Sequence, residues 1–145
     1  MPRAQSQETI SRRMATVRSR NTGPELSVRS IVHRYGLRFR LTNRDLPGSP
    51  DLANRSRRWA VFVHGCFWHA HHGCPRATRP KTNRRYWQAK FRTNQARDVD
   101  ALRRLRRRGF RVLVLWECEL QSARGERRLR AFFGAAQHRS AAVVR

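Results

Sequence analysis

Two short, almost wholly apolar runs, Trp59–Val63 and Phe110–Trp116, constrain this chain most, because a helical pattern lies between them. Each is long enough for a buried strand and too short for a helix. Thr82 or Asn83 is placed to cap the intervening helix, which reaches Arg108 with Trp87, Phe91, Val99, Leu102 and Leu105 near helical spacing. Gly109 ends it. Strand, helix and strand then form a crossover, expected to be parallel and right-handed. The chain is expected to fold as an α/β sandwich.

The flanking segments add to this unit. Pro24 suits a first helical position, and Leu26, Val28, Ile31, Val32 and Tyr35 make one apolar face before Gly36 stops the helix. Leu37, Phe39 and Leu41 alternate with arginines as a half-buried strand would. The turn-rich Leu46–Pro50 then delivers the chain to Asp51, Leu52 and Ala53, and Glu126–Phe133 predicts a last helix. With 145 residues the chain holds one core and not two. The expected organisation is a flexible N-terminal arm over 1–10, one domain over 11–134 and a basic C-terminal tail over 135–145.

Charge narrows the partner. Lys and Arg total 33 against 9 Asp and Glu, for a formal net charge of +24, and all but Lys81 and Lys90 of the cations are arginine. Blocks such as Arg103–Arg108 neutralise phosphates with counterion release, and arginine also forks onto phosphates and guanine edges. A solubilising surface would explain the choice of arginine but not the imbalance of sign. No apolar run approaches the ~18 residues of a membrane span, and no signal-type apolar segment follows Met1, so a membrane partner is not expected.

The three cysteines, Cys66, Cys74 and Cys118, are an odd number in a chain without a secretion signal, which argues for a reducing, cytoplasmic setting with thiolates free to hold metal. Cys66, His71, Cys74 and Cys118 would make a closed Cys₃His tetrahedron of the structural zinc type. The alternative is three buried free cysteines beside loop histidines. Topology favours the metal, since Cys118 ends the second buried strand and would tie the irregular loop to the sheet. His64 and His69 remain over and flank Phe67 and Trp68, which look exposed. Asp51, after Pro50 at the start of a strand, is placed to hold Mg²⁺ against a phosphate, although Pro-Asp is also an ordinary turn.

Pro47-Gly-Ser-Pro-Asp51, Val61-Phe-Val-His-Gly-Cys-Phe-Trp-His69, Pro80-Lys-Thr-Asn83, Asn94 with Arg97-Asp98, and Arg111-Val-Leu-Val-Leu-Trp-Glu-Cys118 occur in that order. Over roughly Ser11 to Leu120 the chain thereby resembles the very short patch repair (Vsr-type) endonucleases. The resemblance implies a restriction-endonuclease-like α/β core, with a mixed central sheet flanked by helices and stapled by one structural zinc. It implies Mg²⁺-dependent hydrolysis of the phosphodiester on the 5′ side of the mismatched T in T·G pairs, which arise when 5-methylcytosine deaminates. Asp51 corresponds to the Mg²⁺-binding carboxylate, and the position of Val63, often Thr in the family, supplies a backbone carbonyl to the metal. His69 matches the general base, His64 a supporting histidine, and Glu25 an acid that orders water at the metal. The strand after the Pro-Asp element reads Val-Phe-Val-His, without the second carboxylate and lysine of the wider nuclease superfamily. Phe67, Trp68 and Trp87 correspond to a platform that wedges beside the mismatch, and Met14 to a residue inserted from the opposite groove. Core packing is the alternative for Trp87, and a free N-terminal arm the alternative for Met14.

The expected partner is double-stranded DNA containing a T·G mismatch, engaged by a monomer associated with the nucleoid when working; a mismatch-repair protein is an open further partner. Two readings from other classes compete with the enzyme. A non-enzymatic zinc-containing DNA-binding module would leave Asp51, His64 and His69 incidental. An RNA-binding or ribosome-associated protein fits the charge but leaves the Phe67-Trp68 loop unexplained.

Overall fold

The structure, a computed structural model, describes residues 21–141, with side chains described through Gly134. Met14, the expected N-terminal arm and the last residues of the tail lie outside the described residues. Helix α1 (Gly23–Arg34) begins as the sequence predicts: Pro24 sits in its first turn, and the Thr22 hydroxyl accepts from the Glu25 N–H at 3.4 Å. The remaining elements are β1 (Leu52–Asn54), β2 (Trp59–His64), α2 (Arg84–Arg107), β3 (Arg111–Trp116), α3 (Glu117–Leu120) and α4 (Ala123–Ala141).

The sheet is three-stranded and mixed, with β2 in the centre, antiparallel to β1 and parallel to β3. The central position explains why Trp59–Val63 reads as an unbroken apolar run: both of its faces are covered. Trp59 and Val61 face one side, where Val28 and Val32 of α1 and Leu129 and Phe133 of α4 join Leu113 and Leu115. Ala60 and Phe62 face the other, against Leu105 and Leu102 of α2. The sandwich thus has helices on both faces of the sheet. Among the described residues no helix is long and apolar enough to cross a membrane.

Four sequence expectations are revised. The strand over Leu37–Leu41 is reduced to one antiparallel bridge, in which Arg40 and Ala53 exchange hydrogen bonds of 2.9 and 3.2 Å. Leu37 and Phe39 still pack on the core, but β1 has only three residues to pair with and Leu41 is 45% exposed. Asn83 occupies the N-cap of α2 in a left-handed conformation, so it does not cap with its side chain; its carbonyl accepts from the Trp87 N–H. Val99 is 56% exposed, because the stripe of α2 that faces inward runs through Phe91, Ala101 and Leu105 instead. The last helix extends well beyond Glu126–Phe133 on both sides.

The segment before β1 is fixed so as to aim Asp51. Buried Asn43 donates to the carbonyls of Arg40 (2.8 Å) and Pro50 (3.0 Å), closing the turn. Gly48 adopts φ +73 where the turn crosses α2, and a Cβ there would lie 2.5 Å from that of Ala101. No side chain fits at that crossing.

Candidate active site and metal centre

Two clusters form where β2 and β3 end side by side. His64 pairs in register with Trp116, and Cys66 and Cys118 each follow two residues later, so parallel pairing alone brings two distant cysteines together. The loop then folds back: His71 N–H donates to the Cys66 carbonyl at 2.9 Å, Cys74 N–H to that of His71 at 3.3 Å, with Ala70 and Gly73 at positive φ. The donor atoms of Cys66, His71, Cys74 and Cys118 all lie within 4.8 Å of one another. A tetrahedral ion with ~2.3 Å metal–sulfur bonds needs sulfurs about 3.8 Å apart, so the donor set fits such an ion. The His71 ring is fixed by stacking on Trp116 at 4.0 Å, with Nδ1 3.6 Å from Cys118 Sγ. Burial pushes the Cys66 thiol up to about 12, as expected of a group that becomes a thiolate only beside a cation.

The second cluster lines a cleft of about 500 Å³ that Glu25, Asp51, Val63, His64, His69 and Asp98 share. Asp51 Oδ2 accepts from the Val63 N–H at 2.7 Å, which anchors the carboxylate across β2. Burial is the main cause that pushes its carboxyl up to about 6, against the Val63 bond and with help from the nearby Glu25 charge. Two close carboxylates in a partly desolvated cleft suit a hard divalent cation with oxygen ligands. Glu25 is itself buried and accepts from the Asn21 N–H at 3.0 Å and from Arg29 at 3.4 Å.

Across the cleft, His69 Nδ1 lies 2.7 Å from Asp98 Oδ2, and His64 Nε2 lies 3.9 Å from Asp98 Oδ1. The two imidazoles stack at 3.8 Å with planes only 2° apart. Burial and the neighbouring His69 push His64 down to about 4, so it is neutral at pH 7. With the Nδ1 of His69 engaged by Asp98, its Nε2 is the ring nitrogen left to act as an acceptor. Trp116 meets His64 and His69 edge-on and His71 face-on, so one indole forms a wall of both clusters.

The loop aromatics are half-buried rather than fully exposed. Phe67 and Trp68 pack with Trp87 and Phe91 at centroid distances of 5.3–6.3 Å, and Trp87 itself is only 6% exposed. Asn94 ties this platform to the helix by donating to the Trp68 carbonyl at 2.9 Å.

A family profile described as DNA mismatch endonuclease Vsr matches residues 4–76. The type II nicking enzyme V.XorIIP of Xanthomonas oryzae pv. oryzae is 51% identical over 107 residues, which cover 74% of this chain and 78% of that protein. The DNA mismatch endonuclease Vsr of Escherichia coli is 39% identical over 113 residues, covering 78% and 72%. The chain belongs to the Vsr family. Membership in the Vsr family makes it a nuclease that acts on DNA and gives the two clusters a common context.

Of the site residues expected from sequence, the fold brings Asp51, Val63, His64, His69 and Glu25 into one cleft and the four zinc-type ligands into another cluster. Phe67, Trp68 and Trp87 form a third group beside them. Asp98 is the residue that sequence reasoning left without a role. Its signal was present: Asn94 and Asp98 continue, at helical spacing, the inward stripe begun by Trp87 and Phe91, and polar residues on an apolar stripe need partners.

The raised Asp51 carboxyl has a measurable consequence. Because its folded-state value, about 6, exceeds the ordinary aspartate value of 3.8, the folded protein holds this proton more tightly than the unfolded chain. Stability from this group is present below about pH 4 and lost as pH rises through 6. Magnesium-free Asp51→Asn is therefore expected to melt above wild type at pH 7–8 and to match it near pH 4. Parallel melting curves at all pH values would contradict this.

Proposed function

We propose that this chain nicks duplex DNA on the 5′ side of the mismatched T in T·G pairs left by 5-methylcytosine deamination, by Mg²⁺-dependent phosphodiester hydrolysis. The observation that carries the reading is the convergence of Asp51 and the His69–Asp98 pair on one cleft beside an aromatic platform. Asp51 and the Val63 carbonyl would hold magnesium, which would supply charge neutralisation at the phosphate and the leaving oxygen. His69 Nε2 takes the proton of the attacking water, Asp98 keeps the imidazole oriented, His64 supports its face, and Glu25 orders water in the cleft. The products are a 5′-phosphate and a 3′-hydroxyl.

In the same reading Cys66, His71, Cys74 and Cys118 hold a structural zinc that staples a restriction-endonuclease-like core over residues 11–134. Met14 corresponds in this reading to a residue that enters the DNA from the groove opposite Phe67, Trp68 and Trp87. The protein acts as a cytoplasmic monomer associated with the nucleoid. Incubation of labelled T·G and matched C·G duplexes with and without Mg²⁺ tests the proposal: only the T·G duplex with Mg²⁺ should be nicked efficiently. Equal cutting of both duplexes, or cutting without a divalent ion, would refute it.

Two further outcomes follow from this reading. Trp68→Ala should keep metal binding but lose preference for T·G, since base–aromatic stacking contributes roughly 1–3 kcal/mol; competition binding against a matched duplex measures the loss. Unchanged preference would remove Trp68 from the wedge. Affinity for matched DNA should fall steeply with salt, by about 0.9 in the log–log slope per neutralised phosphate. With six phosphates contacted, raising salt from ~50 to ~200 mM should weaken binding about a thousandfold, and a flat response would assign the charge to something else.

A further inference from the structure

We propose that Arg79, Lys81, Arg84 and Arg92 form a second phosphate-binding groove that grips the DNA strand that is not cut. The inference rests on the DNA-nicking reading above and assigns a surface that reading leaves unused. The groove measures about 460 Å³ and is also lined by Trp87, Phe91, Gln88 and Gln95. Its four cations are exposed, no acidic side chain lines it, and none of the four has a carboxylate partner among the described residues. Arg76, in the same loop, contrasts with them by pairing with Glu117 at 3.3 Å. The groove also lies at the start of α2, whose first turn contains no acidic residue, so its free backbone N–H groups add to the positive field. The motif Pro80-Lys81-Thr82-Asn83 thereby gains a role.

Position supplies the strand assignment. The groove shares no lining residue with the hydrolytic cleft, and Trp87 and Phe91 of the aromatic group line the groove but not the cleft. A wedge entering a duplex beside a base pair has one strand on each side. If the cleft holds the scissile phosphate, a basic groove that is bounded by wedge residues and separate from the cleft meets the backbone of the opposite strand.

The test uses the full-length chain with all four cations changed to Gln, alongside Arg124→Gln/Arg127→Gln on α4 as a charge control away from the groove. Binding to a T·G duplex is measured against salt without magnesium, using duplexes that carry neutral methylphosphonates on either strand. The expected result is a log–log slope smaller by ~2 to ~4 for the groove variant, at about 0.9 per phosphate contact, and smaller by less than one contact for the control. Methylphosphonates on the uncut strand should weaken wild type and leave the groove variant almost unaffected. A groove variant with the wild-type slope, or sensitivity that couples to the cut strand instead, overturns the proposal. Failure of wild type to prefer or nick T·G duplexes would instead overturn the underlying function.

Discussion

Asp51→Ala is expected to abolish nicking while leaving binding to a T·G duplex nearly intact. The side chain sits at the start of β1 with one carboxylate oxygen bonded to the Val63 N–H at 2.7 Å, and contributes nothing to the Phe67–Trp68–Trp87 platform. In the proposed mechanism its removal takes away a magnesium ligand without touching the surface that would read the mismatch. Fold loss is not the cause expected, because burial already disfavours this carboxylate and holds its carboxyl at about 6. Asp51→Asn provides the control: it keeps an acceptor for Val63 and should still lose nearly all activity. His69→Ala should slow nicking by the ~10²–10⁴-fold typical of a lost general base. Asp98→Asn should move in the same direction, since an amide no longer enforces the productive tautomer. Single-turnover nicking beside gel-shift affinity separates the outcomes, and an Asp51→Ala protein that still nicks would displace the metal from this cleft.

Cys118→Ala is expected to have the largest effect on stability. Cys118 is the member of the Cys66, His71, Cys74 and Cys118 donor set that joins the His-rich loop to the end of β3, and its loss breaks a set whose atoms lie within 4.8 Å of one another. Structural zinc contributes on the order of 10 kcal/mol in zinc-finger peptides. Here the two apolar layers around β2 remain, so the loss should be smaller and concentrated in the loop that carries His69 and His71. A loss of only ~3 kcal/mol would lower Tm by on the order of 10 °C in a chain of this size. Because Trp116 is a wall of both clusters, loosening the loop should also release His69 from Asp98 and stop nicking. Zinc analysis, thermal melting and amide exchange over the loop between Gly65 and Thr78 measure the effect. Wild-type protein that is folded and active without zinc would contradict it.

Much of this architecture could be read from sequence because its signals are local. Trp59–Val63 is buried on both faces, as a central strand between helices must be, while the edge strand β3 buries Leu113 and Leu115 and leaves its other face half-buried; the helix between them makes their parallel pairing the natural outcome. That pairing also accounts for the convergence of Cys66 and Cys118, since each leaves the sheet two residues after a matched pair. The failures came where tertiary geometry overrides local pattern. Leu37–Leu41 alternates like a strand but meets a partner of only three residues, and the Asn43 turn leads the chain away after a single bridge. Val99 fits helical spacing yet lies on the solvent side, because the inward stripe passes through Asn94 and Asp98, where polarity serves the cleft. The Asp98 partnership joins a loop residue to a helix residue far along the chain, and no spacing rule encodes that contact.

The central claim is that one cleft cuts one strand at one place, beside a mismatched T. Its most direct test is single-turnover cleavage of a T·G duplex labelled at either end of either strand, with a matched C·G duplex in parallel and Mg²⁺ present or withheld. A single nick is expected on the 5′ side of the mismatched T, leaving a 5′-phosphate and a 3′-hydroxyl, in the presence of Mg²⁺ and in the T·G duplex alone. Cleavage of the G-bearing strand, equal rates on C·G, or the same nick without a divalent ion would contradict it.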